Sequence, residues 1–137
     1  MKLSKETKKK IKEEYQEWSQ QQYCGQDLKT RQKRGAFYTP TELSIKMLEK
    51  FANLRGSVCD PCLGAGGLLA AAIIAGADPN LCFGIEPDIE TLKLARKRLR
   101  KLGVPSANLI QGDALDDETW QKLEKRQTTV ICKTKYN

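Results

Sequence analysis

The chain has 137 residues, 39% hydrophobic and 30% charged, with a formal net charge of +7 and no histidine. That length holds one domain and only about half the strands of a full parallel sheet covered by helices, so a complete enzyme is not expected. No apolar run approaches the roughly 20 residues that would span a bilayer, and the lysine-rich start MKLSKETKKKIKEEYQEW lacks the apolar stretch of a secretory signal; no membrane association and a cytoplasmic location are the expectations.

Residues 4 to 22 have helix-forming composition, with Ile11, Tyr15 and Trp18 on one stripe. The charge surplus sits here: residues 1 to 34 hold ten Lys or Arg against five Asp or Glu, while the rest of the chain holds fourteen against twelve. Such a segment fits an arm that replaces counterions on nucleic-acid phosphates, and it fits equally a solvated amphipathic helix with Glu and Lys at helical spacing. The chain therefore divides into a basic N-terminal helix and linker, 1–34, and a second unit, 35–137.

After the irregular stretch CGQDLKTRQKRGAFYTP, Pro40 and Thr41 can start a helix whose apolar side is Leu43, Ile45, Met47, Leu48 and Phe51, running to about Leu54 before Gly56. Four short apolar runs follow: SVCDP, LCFGIEPD, NLIQGD and TTVIC. Between them lie GGLLAAAIIAGA, DIETLKLARKRLRKLG and DDETWQKLEKR, each with helical length and spacing. The alternation of strand and helix predicts an α/β fold with a parallel sheet of about four strands, preceded by N-terminal helices, whose ligand crevice lies outside the carboxyl ends of the strands.

The five cysteines, Cys24, Cys59, Cys62, Cys82 and Cys132, form an odd set, and no disulfide is expected. Cys59 and Cys62 have C-x-x-C spacing, but with no second pair and no histidine a tetrahedral metal site is incomplete. The plainer reading is a strand-end cysteine followed by a turn cysteine. The lack of histidine also removes the commonest general base.

The informative residues fall just after each strand. The first ends in Asp60-Pro61-Cys62-Leu63-Gly64-Ala65-Gly66-Gly67, where glycines can take positive φ and bring backbone close to a ligand at a helix N-terminus. A dinucleotide fingerprint would want a small residue where Leu69 stands, so a different nucleoside cofactor is more natural than NAD. Glu86, ending the second strand, has the context of a carboxylate that accepts from both ribose hydroxyls. Asp113, ending the third, can accept from the exocyclic amine of an adenine whose faces touch Ile85, Pro87 and Leu115. Each acid also has a plainer role: Asp113 as a helix cap, Glu86-Pro87-Asp88 as a helix start.

GAFYTP, DPCLGAGGLL, GIEPD and GDAL, in that order from Gly35 to Val130, resemble the motifs of the gamma-type N6-adenine DNA methyltransferases. The resemblance implies the N-terminal half of the Rossmann-like sheet of class I methyltransferases and S-adenosylmethionine as cofactor, in the DNA methylation of restriction–modification systems. It implies that Phe37, Tyr38 and Thr39 hold the methionine end, that Asp60 and Gly64, with Gly66 in the same loop, line its amino and carboxylate side, and that Glu86 binds the ribose and Asp113 the adenine.

The family's catalytic tetrapeptide, Asn or Asp followed by Pro-Pro and an aromatic, belongs after TTVIC, where this chain reads Lys133-Thr134-Lys135-Tyr136. Lysine offers donors and no acceptor for the target amine, and its charge opposes the positive charge that develops there. Tyr136 occupies the position of the aromatic that stacks on the flipped base. The expectation is a truncated or diverged relative that binds the cofactor without transferring methyl by itself. The alternatives are one subunit of a split DNA methyltransferase completed by a partner chain, a non-catalytic module binding DNA or protein through the basic arm, and the product of a decayed gene.

Overall fold

The computed structural model describes residues 2–22, 40–50, 54–123 and 127–130. In chain order they form α1 (Lys5–Gln22), α2 (Thr41–Lys50), β1 (Ser57–Asp60), α3 (Gly67–Ile74), β2 (Cys82–Glu86), α4 (Ile89–Lys101), β3 (Leu109–Gln111), α5 (Asp117–Lys122) and β4 (Gln127–Val130). The alternation expected from the sequence is present, with the helix of DDETWQKLEKR spanning Asp117–Lys122 among the described residues.

All three strand pairings are parallel, and the order across the sheet is β3-β2-β1-β4. Three strands step to one side and the fourth returns to the far flank of β1. The order thus reverses between β1 and β4, and in open parallel sheets that switch point is where a ligand crevice opens at the carboxyl ends. This is the four-stranded Rossmann-like half-sheet.

Strand alternation divides the core between the two faces. Val58, Cys82 and Leu109 join the larger cluster with Leu68, Leu69, Leu92 and Leu99 of α3 and α4. Cys59, Ile85 and Leu123 form the smaller one, with Phe83, Ile110 and Trp120 packed against it. In α3, Leu68 through Ala72 are all buried; its run of alanines lets neighbouring backbones approach closely on several sides.

Helix α1 is built into the larger cluster through the fully buried Ile11, joined by Leu3 just before the helix. Burying one such side chain stabilises by about 1.5–3 kcal/mol. Its lysines largely face glutamates: Lys10 pairs with Glu6 at 3.3 Å and Lys9 with Glu13 at 4.0 Å within α1, while Lys12–Glu42 at 3.2 Å and Lys8–Glu49 at 3.6 Å reach α2. Exposed pairs of this kind contribute at most about 1 kcal/mol each; the apolar contacts dominate.

Caps fix where the helices start. Asp88, two residues after Glu86, caps α4 by accepting from the Thr91 amide at 3.0 Å and the Thr91 hydroxyl at 2.6 Å. Arg96 then donates twice to the Leu109 carbonyl, at 3.1 and 2.6 Å, and ties α4 to β3.

Candidate functional site

β1 ends on Asp60, whose side chain is almost fully enclosed at 1% exposure. Its Oδ1 accepts the Cys62 N–H at 3.0 Å and turns the chain out of the strand. Burial pushes this carboxyl up to about 7, opposed by the Cys62 hydrogen bond and reinforced by the charge of Glu86.

Gly64 and Gly66 then take φ of 56° and 90°, a left-handed backbone that a side chain resists. The turn so formed lies across the end of the neighbouring strand: the Leu63 N–H donates to the Ile85 carbonyl at 3.0 Å. The Gly64 N–H donates to Glu86 Oε2 at 2.9 Å, and the Asp88 N–H donates to Oε1 at 3.3 Å. These two bonds orient the Glu86 carboxylate at the strand end. Beyond the turn α3 starts with Gly66 as its N-cap, which provides no side-chain oxygen to the first-turn N–H groups.

The third strand end joins the same group. The Gly112 N–H donates to the Glu86 carbonyl at 3.2 Å, which brings the Gly112-Asp113 turn beside β2. Asp113 is exposed, and its Oδ1 accepts the Leu115 N–H at 2.9 Å. Asp116, not Asp113, caps α5 by accepting the Glu118 N–H at 3.2 Å. Leu115 stands 94% exposed, a large apolar side chain left open in the turn that Asp113 begins.

Asp60, Gly64, Gly66, Glu86 and Asp113 thus lie along one rim, at the carboxyl ends of β1, β2 and β3. Phe37, Tyr38, Thr39 and the tetrapeptide Lys133 to Tyr136 lie outside the described residues. One expected contact is corrected. Ile85 cannot touch a ligand's ring, because strand alternation turns it into the smaller core beside Cys59 and Leu123, with 0% exposure. Pro87 and Leu115 remain exposed. Cys59 is buried inside β1 and Cys62 is exposed on the turn.

Two residues at this rim carry no sequence motif. Tyr15 of α1 and Ser44 of α2 share a 2.6 Å hydrogen bond between hydroxyls, and Ser44 is fully buried. Burial raises the Tyr15 phenol well above its usual range, the Ser44 bond works against that, and the charge of Asp60 adds to it. The available signal was a serine inside the apolar stripe of α2, where it needs a polar partner. Gly84 is the other silent contributor: a Cβ there would lie 2.7 Å from Leu63 Cδ1, so the glycine makes room for the turn to close over β2.

A family model described as N-6 DNA Methylase matches residues 15–137. Among curated relatives, the type II methyltransferase M.VspI of Vibrio sp. (strain 343) is 33% identical over 88 residues, covering 62% of this chain and 22% of that protein. The type II methyltransferase M.BanIII of Aneurinibacillus aneurinilyticus is 34% identical over 98 residues, covering 60% of this chain and 17% of its own. The chain thus corresponds to about a fifth of either relative. A solved RNA methyltransferase from Salinibacter ruber, in complex with S-adenosyl-L-homocysteine, superposes with a TM-score of 0.54 at 27% identity, over 70% of this chain and 60% of that one.

Proposed function

Because this chain belongs to the N-6 DNA methylase family, we propose that it is an S-adenosylmethionine-binding unit of adenine-N6 DNA methyltransferase type that does not transfer methyl by itself. The observation that carries the reading is the placement of Asp60, Glu86 and Asp113 at the carboxyl ends of three adjacent strands, around the turn held by the Gly64-to-Glu86 hydrogen bond.

The residues present fit such a cofactor. Glu86 is oriented by two backbone N–H groups, and a carboxylate at this strand end has the chemistry to accept from ribose hydroxyls. The first turn of α3, with no side chain at its N-cap, suits a carboxylate. Leu115 and Pro87 offer apolar surface beside Asp113 for a purine. Asp60, its carboxyl pushed up to about 7, shifts toward the ionised form when a cation approaches, which matches an amino or sulfonium group. When bound, the cofactor supplies a methyl group made electrophilic by its sulfonium. The chain's own residues orient it and screen one side from water.

Transfer needs more. Lys133-Thr134-Lys135-Tyr136 stands where the family places its acceptor tetrapeptide, and lysine cannot accept from an adenine amine. Target recognition and the rest of the sheet would come from further polypeptide. A second reading is a split enzyme completed by a partner chain, which could pair with β4, a strand with one neighbour among the described residues.

The test is to incubate the 137-residue chain with radiolabelled S-adenosylmethionine and adenine-containing DNA or RNA. Cofactor retained by the chain and no label in either nucleic acid is the expected result. Label in nucleic acid without a second polypeptide would overturn the non-transferring assignment, and no retention would overturn the cofactor assignment.

A further inference from the structure

Helix α1 has, by its sequence, no evident business with a cofactor: it is a lysine-rich amphipathic helix that precedes every recognised motif. In the fold, however, Tyr15 stands between the starts of two other helices. Its hydroxyl bonds Ser44 Oγ at 2.6 Å, and Ser44 sits one turn into α2, its N–H donating to the Pro40 carbonyl at 3.0 Å. Its ring lies on Gly67, the first residue of α3; a Cβ at that position would come within 3.3 Å of both Cζ and Oη.

The first turns of α2 and α3 are therefore clamped through one aromatic ring and one hydrogen bond. Ser44 is fully buried and Tyr15 half-buried, and a polar pair of this kind holds its geometry because the buried group alone would be left unsatisfied. Gly67 directly follows the Gly64–Gly66 turn, so the clamp bears on the β1 side of the rim, next to Asp60. Glu86 and Asp113 stand at the ends of β2 and β3, on the other side.

We propose that Tyr15, through its hydrogen bond to Ser44 and its seat on Gly67, is a positioning residue for the amino-acid end of the cofactor. The inference rests on the cofactor reading above and extends it to a helix outside the motifs. Tyr15 touches no ligand in this account; it sets the relative position of two helix starts and the glycine turn between them. Loss of the hydroxyl frees α2 from α3 and blurs the β1 side of the site, while the β2 and β3 ends that address ribose and adenine keep their own hydrogen bonds.

Two ligands separate these halves: S-adenosylmethionine, and 5′-methylthioadenosine, which lacks the amino-acid portion. Both are titrated into the wild-type chain, Tyr15→Phe, Ser44→Ala and the double variant, each checked for its fold by circular dichroism. Each single variant is expected to weaken S-adenosylmethionine about tenfold and to leave 5′-methylthioadenosine within about twofold. The double variant, which removes both partners together, should be no weaker than the singles. Equal losses for both ligands, no loss for either, or additive losses in the double variant would overturn the positioning role. A folded wild-type chain that binds neither ligand would instead overturn the cofactor reading, and this inference with it.

Discussion

Gly64 donates its N–H to the Glu86 carboxylate at 2.9 Å, so the turn after β1 is held by the side chain that ends β2. The same carboxylate receives the Asp88 N–H, and the Glu86 carbonyl receives the Gly112 N–H. One residue thus organises the turns after three strands. An acid whose only duty was to meet a ribose would not need this network. The backbone around Glu86 fixes its carboxylate at the strand end.

Glu86→Ala removes the acceptor for two backbone N–H groups. The expected cost is about 1–3 kcal/mol of stability, read from the shift in the urea unfolding midpoint. Faster amide hydrogen exchange at Gly64 and Asp88 should accompany it. Unchanged exchange at both amides would show that the carboxylate does not hold the turn.

Asp60 sets a pH dependence. Its carboxyl is pushed up to about 7 in the fold, first by burial and then by Glu86, against the Cys62 N–H. The folded state therefore holds a proton that the unfolded state releases at lower pH, and stability falls as pH rises through the folded value of about 7. Wild-type chain should lose about 2–3 kcal/mol between pH 5 and pH 8 from this group, and Asp60→Asn should flatten the profile. Affinity for a cationic ligand should move the other way and rise over the same interval, because the ligand favours the ionised carboxyl. Parallel stability profiles for wild type and Asp60→Asn would sink this account.

Gly84→Ala tests the closeness of the turn to the sheet. A Cβ at Gly84 would sit 2.7 and 2.9 Å from the two terminal methyls of Leu63, which is itself buried at 3% exposure and has nowhere to go. Destabilisation of about 1–3 kcal/mol is expected, measured by thermal or urea unfolding. A neutral substitution would mean that Leu63 repacks freely.

Ile11→Ala tests whether α1 is part of the folded unit. With Ile11 at 0% exposure inside the larger core, truncation should cost about 2–4 kcal/mol. A helix merely laid on the surface would lose less than about 1 kcal/mol.

Much of the architecture was legible because βαβ alternation leaves separate signals: short apolar runs ended by Asp or Glu, and longer runs with helical spacing. The run from Leu68 to Ala72 is buried at every position, which leaves length as the stronger part of its helical signal. At the site, Asp60, Glu86 and Asp113 could be placed at strand ends from the sequence. Which way Ile85 faces could not, because a strand buried on both sides gives apolar residues at successive positions, and the second face becomes visible only once α5 is placed. Tyr15 was visible as one member of an apolar stripe; its partner Ser44 lies 29 residues away on another helix, a pairing set by packing alone.

The central claim is that the turn between β1 and α3 and the carboxylate of Glu86 form a working cofactor site. Calorimetric titration of the chain with S-adenosylmethionine, beside the Glu86→Ala variant, tests it most directly. The account predicts micromolar-range binding, about −8 kcal/mol, to the wild-type chain and its loss in a variant that remains folded. No binding by a folded wild-type chain, or equal binding by Glu86→Ala, would contradict it.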